Sequence, residues 1–169
     1  MTATDERRGE ATDRTTELVK REAGGLLAYF QRRVPTYEDA ADLVSETFVV
    51  IWRRVDALPH DDAEARMWMF GIARRVLATH RRGRLRRHDL ADRLRAELAT
   101  MPSSSGDTRR PEVADALTAL SEKDRELILL VHQDGFTLAE IARLLGRRPA
   151  TIRSRYQRAR QRLRAELEA

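Results

Sequence analysis

Arginine, serine and glutamine recur at helical spacing near the C-terminus, in the segment PATIRSRYQRARQRL that begins at Pro149. The apolar residues of this segment would share one stripe of a helix and face a core: Ile152, Tyr156, Ala159 and Leu163. The opposite side would present Arg153, Ser154, Gln157 and Arg158. Arginine pairs bidentately with guanine and glutamine with adenine, so this side is suited to reading DNA bases. Arg148 and Arg155 flank it and suit phosphates, contacts that hold register without reading sequence.

The residues before this segment predict a tight turn between two helices. Thr137 and Glu140 form a Thr-x-x-Glu capping box that starts a short helix. Gly146 suits the left-handed conformation that ends this helix. Pro149 suits the first turn of the next one, where its missing N–H costs nothing. This spacing is typical of a helix-turn-helix, whose second helix lies in the DNA major groove.

A solvated surface helix is the alternative explanation for these arginines, because a run of like charges usually marks a side that faces water. Taken alone, the arginines fit that explanation. Their combination with the capping box, the turn glycine and a core-facing Ile152 favours DNA binding instead.

Composition limits the other kinds of site. The chain of 169 residues has no cysteine, which excludes disulfides and cysteine-rich zinc sites, and its 4 histidines are scattered. We therefore expect no metal and no cofactor. No apolar run approaches the ~18 residues that cross a bilayer, and the polar N-terminus lacks the apolar core of a signal peptide. We expect a soluble, cytoplasmic protein without membrane insertion.

The net charge of +5 is unevenly distributed along the chain. Residues 1–50 hold 10 acidic against 7 basic residues. Residues 74–88 hold 7 arginines and no acidic residue, and residues 137–169 hold 9 arginines against 3 glutamates. Two basic blocks behind an acidic front predict two contacts with a polyanion and one with a different partner.

Helical periodicity without convincing strand alternation predicts an all-α protein made of two small helical domains joined by a flexible linker. Residues 1–16 are polar and are predicted to be a disordered tail. The first domain is predicted over residues 17–88 and the second over residues 112–169. Residues 89–111 form the predicted linker, of which MPSSSGDTRRP is the clearest flexible stretch.

An acidic strip runs along the second predicted helix, where Asp39, Asp42 and Glu46 recur at spacings of three and four. A solvated face with ordinary charge spacing is the simplest explanation of this strip.

Aromatic residues precede the first arginine block, as single-stranded DNA binding requires. Trp68 is the largest of them, but it shares a helical stripe with Ile72 and Val76. The favoured prediction is therefore that Trp68 packs in the core.

The order of three segments resembles the sigma-70 family. These segments are YEDAADLVSETFVVIWRRVDAL, WMFGIARRVLATHRR and, after the linker, LTALSEKDRELILLVHQDGFTLAEIARLLGRRPATIRSRYQRARQRL. The chain is most similar to the small extracytoplasmic-function group, which keeps only the second and fourth conserved regions. The resemblance covers residues 18–87 and 113–167. It implies a specificity subunit of bacterial RNA polymerase, which is not an enzyme because the chemistry belongs to the polymerase.

The resemblance also implies a partner for each face. Core RNA polymerase would be bound through Asp42, Leu43, Ser45, Glu46 and Phe48. The promoter -10 element, with an unstacked base, would be engaged by His60, Asp61, Asp62, Arg74, Arg75, Arg81 and Arg82. The promoter -35 element would be bound by Arg148, Arg153, Ser154, Arg155, Gln157 and Arg158. An anti-sigma protein that covers these faces is a further expected partner.

Two other functions remain open at this point. A conventional helix-turn-helix regulator, with an N-terminal dimerisation or ligand module, would bind a palindrome tightly without polymerase. An adaptor would sequester a partner through the acidic helix and use its arginines only for solubility. The ordered face around Arg153 and Arg158 argues against the adaptor, because solubility needs no such order.

Overall fold

The computed structural model describes residues 3–95 and 111–168, with side chains over residues 9–87 and 112–168. Within these ranges it contains helices and one 3₁₀ turn but no strand, which confirms the predicted all-α class. The chain divides into two units between Ser104 and Ser105, inside the predicted linker.

The N-terminal unit contains α1 (Ala3–Gln31), α2 (Tyr37–Arg53), a 3₁₀ turn (Val55–Ala57) and α3 (Asp62–Arg95). Side chains cap the second and third helices. The Thr36 hydroxyl accepts a hydrogen bond from the Asp39 amide at 3.0 Å. Asp61 accepts one from the Glu64 amide at 2.9 Å. A short polar side chain at this position satisfies a helix amide that would otherwise be unpaired.

Aromatic rings from α1 and α3 fill the centre of this unit. Tyr29, Phe30 and Phe70 are at most 1% exposed. The Tyr29 ring meets the Phe70 ring edge-on, with centroids 5.5 Å apart. Burying a ring of this kind stabilises the fold by about 1.5–3 kcal/mol. The packing fixes α3 against α1.

Residues 3–16 differ from the predicted disordered tail, because α1 begins at Ala3. Thr15 is fully buried, and its hydroxyl donates to the Ala11 carbonyl at 2.7 Å. Arg14 donates to the backbone carbonyls of Pro59 and His60 in the loop before α3. The distant contacts of Arg14 hold this polar segment against the rest of the unit, and composition alone does not reveal them.

The predicted domain boundaries also shift. α3 continues to Arg95, beyond the predicted end of the first domain at residue 88. α4 begins at Pro111, the last residue of the predicted linker. The rest of that linker, residues 96–110, lies outside the described residues.

The C-terminal unit contains α4 (Pro111–Ala119), α5 (Glu122–His132), α6 (Leu138–Leu144) and α7 (Pro149–Glu168). Their shared core includes Leu127, Leu130, Ile141, Ile152 and Ala159. Ile152 and Ala159 are the two residues of α7 that are fully covered, so they anchor that helix.

Candidate nucleic-acid interface

Both ends of α6 have the predicted geometry. At its start, the Glu140 amide donates to the Thr137 hydroxyl at 3.2 Å, and the Glu140 carboxylate accepts from the Thr137 amide at 2.8 Å. Gly146 has a φ of +60°. The Arg147 amide donates to the Ala142 carbonyl at 2.8 Å, the bond that closes a Schellman turn. This turn sets the direction in which α7 leaves α6.

The inward side of α7 carries the residues that the helical phase predicted. Ile152 and Ala159 are buried, while Tyr156 and Leu163 are half-buried against the core cluster of this unit. The Tyr156 hydroxyl lies 2.9 Å from Nε2 of His132 at the end of α5. The predicted inward-facing side of α7 is therefore confirmed.

A buried carboxylate joins α5 to α7. The Asp124 side chain is 5% exposed, and its two oxygens accept from Nε of Arg155 at 2.8 Å and Nη1 of Arg162 at 2.9 Å. Burial raises the pKa of Asp124, but hydrogen bonds from Arg155 and Ser121 and the charges of Arg155 and Arg162 outweigh it, and the pKa falls below its ordinary value of 3.8.

This contact revises the prediction for Arg155. The sequence placed it beside the base-reading residues, where it would meet a phosphate. In the structure its Nε bonds to Asp124, a partner 31 residues earlier in the chain. The spacing within α7 cannot indicate such a partner, because it belongs to another helix.

The outward side of α7 is free to meet a ligand. Arg153, Ser154, Gln157 and Arg158 are all exposed, as is Arg148 at the end of the turn. Over residues 112–168, neither Arg153 nor Arg158 has an internal hydrogen bond or ion pair. Two guanidinium groups and one carboxamide thus share a surface with unused donors, which suits base edges and phosphates.

A second basic surface runs along α3. Arg74, Arg75 and Arg82 are exposed, and Arg82 donates to the Thr79 hydroxyl at 3.1 Å. Arg81 is half-buried and has internal interactions, so it contributes less to the exposed surface. The predicted arginines therefore divide into three outward residues and one that faces partly inward.

Trp68 differs from its predicted place in the core. Its neighbours Met69 and Phe70 are buried, whereas Trp68 is only half-buried. Residues seven positions apart fall on nearly the same side of a helix, so Trp68 lies in line with Arg75 and Arg82. That alignment with the arginines was readable from the spacing, but the stripe shared with Ile72 favoured the wrong side.

The loop before α3 holds the three other predicted DNA contacts. His60 is exposed. Asp61 caps α3, as described above. Asp62 accepts from Arg14 at 3.0 Å and from Arg21 at 2.9 Å, so both of its oxygens have partners on α1. The prediction that Asp62 meets DNA is revised, because these bonds direct its carboxylate toward α1.

The acidic strip of α2 is exposed and continues into apolar residues. Asp42, Ser45 and Glu46 face solvent, followed on the same side by Val49 and Trp52, which are 47% and 39% exposed. Within the described ranges neither Asp42 nor Glu46 has an internal partner. We call these five residues the α2 stripe. Sequence reasoning did not identify Val49 and Trp52 as part of this surface.

The other two predicted polymerase contacts face inward. Leu43 is 2% exposed and therefore belongs to the core, which corrects its predicted role as a direct contact. Phe48 is half-buried. The helical period explains the burial of both residues, because Leu43 and Phe48 point away from the side of α2 that carries Asp42 and Glu46.

No helix in the described ranges combines the length with the apolar character that crossing a membrane requires. Those ranges also hold no group of three or more histidine, aspartate or glutamate side chains placed to share a metal ion.

A helix-turn-helix with exposed arginines and a second basic helix with an aromatic residue define a DNA-binding protein, and the acidic–apolar stripe is a separate surface. The chain matches the family model for sigma-70 region 2 over residues 18–87 and that for sigma-70 region 4 over residues 110–163.

Known sigma factors are similar in sequence to most of this chain. The ECF RNA polymerase sigma factor EcfG of Rhodopseudomonas palustris is 33% identical over 130 residues, which cover 76% of this chain and 71% of that protein. The ECF RNA polymerase sigma factor SigL of Mycobacterium tuberculosis is 29% identical over 154 residues, covering 89% and 87%.

Two solved structures are also similar. The structure of CnrH in complex with the cytosolic domain of CnrY matches with a TM-score of 0.67 at 26% identity, covering 95% of this chain and 94% of that one. The sigma factor RpoE of Bartonella quintana, in complex with the anti-sigma factor NepR, shares the fold at a TM-score of 0.67 and 24% identity, covering 94% and 96%. The chain belongs to the extracytoplasmic-function group of the sigma-70 family and is an RNA polymerase sigma factor. The resemblance read from the sequence is thereby confirmed, and a conventional regulator is not favoured.

Proposed function

We propose that this sigma factor divides its work among three faces: the α2 stripe docks on core RNA polymerase, α3 engages the -10 element, and α7 engages the -35 element. The distribution of unpaired charge supports this division most directly. Arg153 and Arg158 on α7 and Asp42 and Glu46 on α2 lack internal partners among the described residues. Arg155, by contrast, is paired inside the domain.

The -35 element is read by the outward side of α7. Arg153, Gln157 and Arg158 supply the donors that distinguish base edges in the major groove, and Ser154 adds a short polar contact. Arg148, at the start of the helix, meets a phosphate and fixes register.

The -10 element is engaged by α3 and the exposed His60. Trp68 offers an aromatic surface in line with Arg75 and Arg82. Stacking of one base on an aromatic side chain stabilises a complex by about 1–3 kcal/mol. That is comparable to the few kcal/mol that unstacking a base costs. The stacking energy of a captured base would therefore offset the free-energy cost of extruding it from the duplex.

The α2 stripe suits a protein partner more than a nucleic acid. Asp42 and Glu46 repel phosphate, whereas Val49 and Trp52 gain from being covered. The expected partner surface on core polymerase is basic with an apolar centre.

Regulation follows the same faces. We infer that an anti-sigma protein also binds this chain, as the anti-sigma factor NepR binds the sigma factor RpoE of Bartonella quintana, which shares the fold. The factor acts in the cytoplasm and has no catalytic activity of its own, since the polymerase performs the chemistry.

Charge reversal on the α2 stripe tests the docking face. The variant Asp42→Arg with Glu46→Arg is expected to lose binding to core polymerase by at least about tenfold, because like charges at an interface cost several kcal/mol. Pull-down and fluorescence anisotropy with purified core enzyme measure the loss.

A matched variant controls for the change in net charge. Asp13 and Glu17 are exposed acidic residues of α1 with the same spacing of four. Reversal of both to arginine is expected to leave binding to core polymerase unchanged. Normal assembly of holoenzyme by the α2 variant, with intact helicity in both proteins, would rule out docking through this stripe.

A further inference from the structure

The loop before α3 is held by side chains of α1. Arg14 donates from Nη1 to the Pro59 carbonyl and from Nη2 to the His60 carbonyl, the latter at 2.6 Å. The same Nη2 lies 3.0 Å from Oδ1 of Asp62. The guanidinium group of Arg14 therefore contacts two backbone carbonyls of the loop and the side chain of Asp62, the first residue of α3.

A second arginine completes the arrangement. Arg21 lies seven residues after Arg14, on the same side of α1, and its Nη1 donates to Oδ2 of Asp62 at 2.9 Å. Each oxygen of Asp62 thus has its own arginine. We call Arg14, Arg21 and Asp62 the loop clamp.

The clamp changes the charge that the loop presents. A free aspartate beside DNA would repel phosphate. Here hydrogen bonds from Arg21 and, to a smaller extent, from Arg14 lower the pKa of Asp62. Its negative charge is balanced by two cations, so the loop can approach a polyanion.

We propose that Arg14 and Arg21 are positioning residues that hold residues 59–62 in the shape used to recognise the -10 element. This inference rests on the proposed role of the loop at that element. Neither arginine needs to touch DNA. Without them, the loop must be ordered when DNA binds, and Asp62 is released as an uncompensated charge.

The consequence is specific to one promoter element. A mobile loop with a free carboxylate loses discrimination among -10 bases, since recognition depends on groups held in place before binding. Reading of the -35 element belongs to α7 in the other unit and is unaffected. A purely stabilising role would instead lower activity on every promoter to the same degree.

The test uses the full chain with purified core polymerase. Arg14→Gln and Arg21→Gln are assayed by single-round transcription on promoters that carry each base at each -10 and -35 position. We expect roughly a threefold to tenfold fall in discrimination at one or more -10 positions, in the range of a small charged network. Preference at the -35 positions should stay the same. Lys20→Gln is the matched control, because Lys20 is a cation of α1 that pairs only with Glu17 on its own helix.

Two further measurements test whether the loop clamp orders the loop. In the free chain, hydrogen exchange of the amides of residues 60–64 should speed up in both variants but not in Lys20→Gln. Arg14→Lys keeps the charge but not the forked donors, and it should restore discrimination only in part. If Arg14→Gln fails to fold, Arg21→Gln supplies the test, since its side chain is 51% exposed.

The outcomes separate the inference from the proposed function. If the unaltered chain transcribes with core polymerase and Arg21→Gln keeps its -10 preference and loop exchange, the clamp has no positioning role. If the unaltered chain neither binds core polymerase nor transcribes, the proposed function itself is overturned.

Discussion

Arginine has two different environments in α7. Arg155 and Arg162 hold the buried carboxylate of Asp124, while Arg153 and Arg158 project outward. An arginine whose donors are used inside the domain contributes to the position of the helix. An arginine whose donors are unused is available to bases. The distinction depends on the partner of each side chain, since the residue type is the same.

Truncation of Arg158 tests the base-reading role. Arg158→Ala should weaken the binding free energy for the -35 element by about 1–3 kcal/mol, because a bidentate pair with one base is lost. Transcription that depends on this element should fall accordingly. Discrimination at a single -35 position should relax. Transcription from promoters with every base at each -35 position measures both effects.

Arg148→Ala provides the contrasting result. As a phosphate contact, Arg148 should weaken binding about equally on all sequences and reduce the salt slope of binding by about 1. Arg164→Ala should change neither property, because Arg164 pairs with Glu168 near the end of α7. Unchanged preference at every -35 position in Arg158→Ala would remove its assignment as a base contact.

At the scale of elements, the position of α7 depends on both packing and charge. Ile152 and Ala159 seal the helix against the core, and Asp124 ties it to the start of α5. These contacts allow the outward side to be presented as a rigid surface. A buried ion pair that loses one partner leaves the other uncompensated, which destabilises the fold.

Stability of the C-terminal unit should therefore depend on Asp124 and on pH. The folded state lowers the pKa of Asp124 below 3.8, so its stabilising contribution is complete above about pH 4 and is lost as the pH falls toward the folded-state pKa. At neutral pH, Asp124→Asn should reduce the free energy of unfolding by about 1–3 kcal/mol. The difference between variant and parent should shrink below about pH 4.

Urea unfolding of the full chain, followed through amide resonances of α5 and α7, measures this difference. Asp115→Asn is the control, because Asp115 is an exposed aspartate of the same unit. A gap between Asp124→Asn and the parent that stays constant from pH 7 to pH 3 would contradict the charge-based account.

The elements that were predictable are those with local signals. The capping box at Thr137 and Glu140 and the glycine at residue 146 specify the helix-turn-helix within ten residues. The order of α1 before residue 17 was not predictable, because it depends on Arg14 reaching a loop far along the chain. Trp68 was misplaced because two helical stripes pass through it, and only packing decides between them.

At the scale of the whole molecule, the proposed DNA contacts lie on two separate units. We expect each unit to bind DNA weakly and in a salt-sensitive manner when it acts alone, because its contacts include phosphates. Core polymerase holding both units on one promoter would make the second contact intramolecular. Such linkage raises overall affinity by about 10²–10⁴ without any new contact.

The most direct test of this account is run-off transcription with purified core polymerase over a genomic promoter library. We predict that the chain together with core enzyme selects promoters with two conserved elements at a fixed separation, whereas the chain alone binds the same DNA weakly. Tight binding of the chain alone to a palindrome, with no transcription when core polymerase is added, would contradict the account.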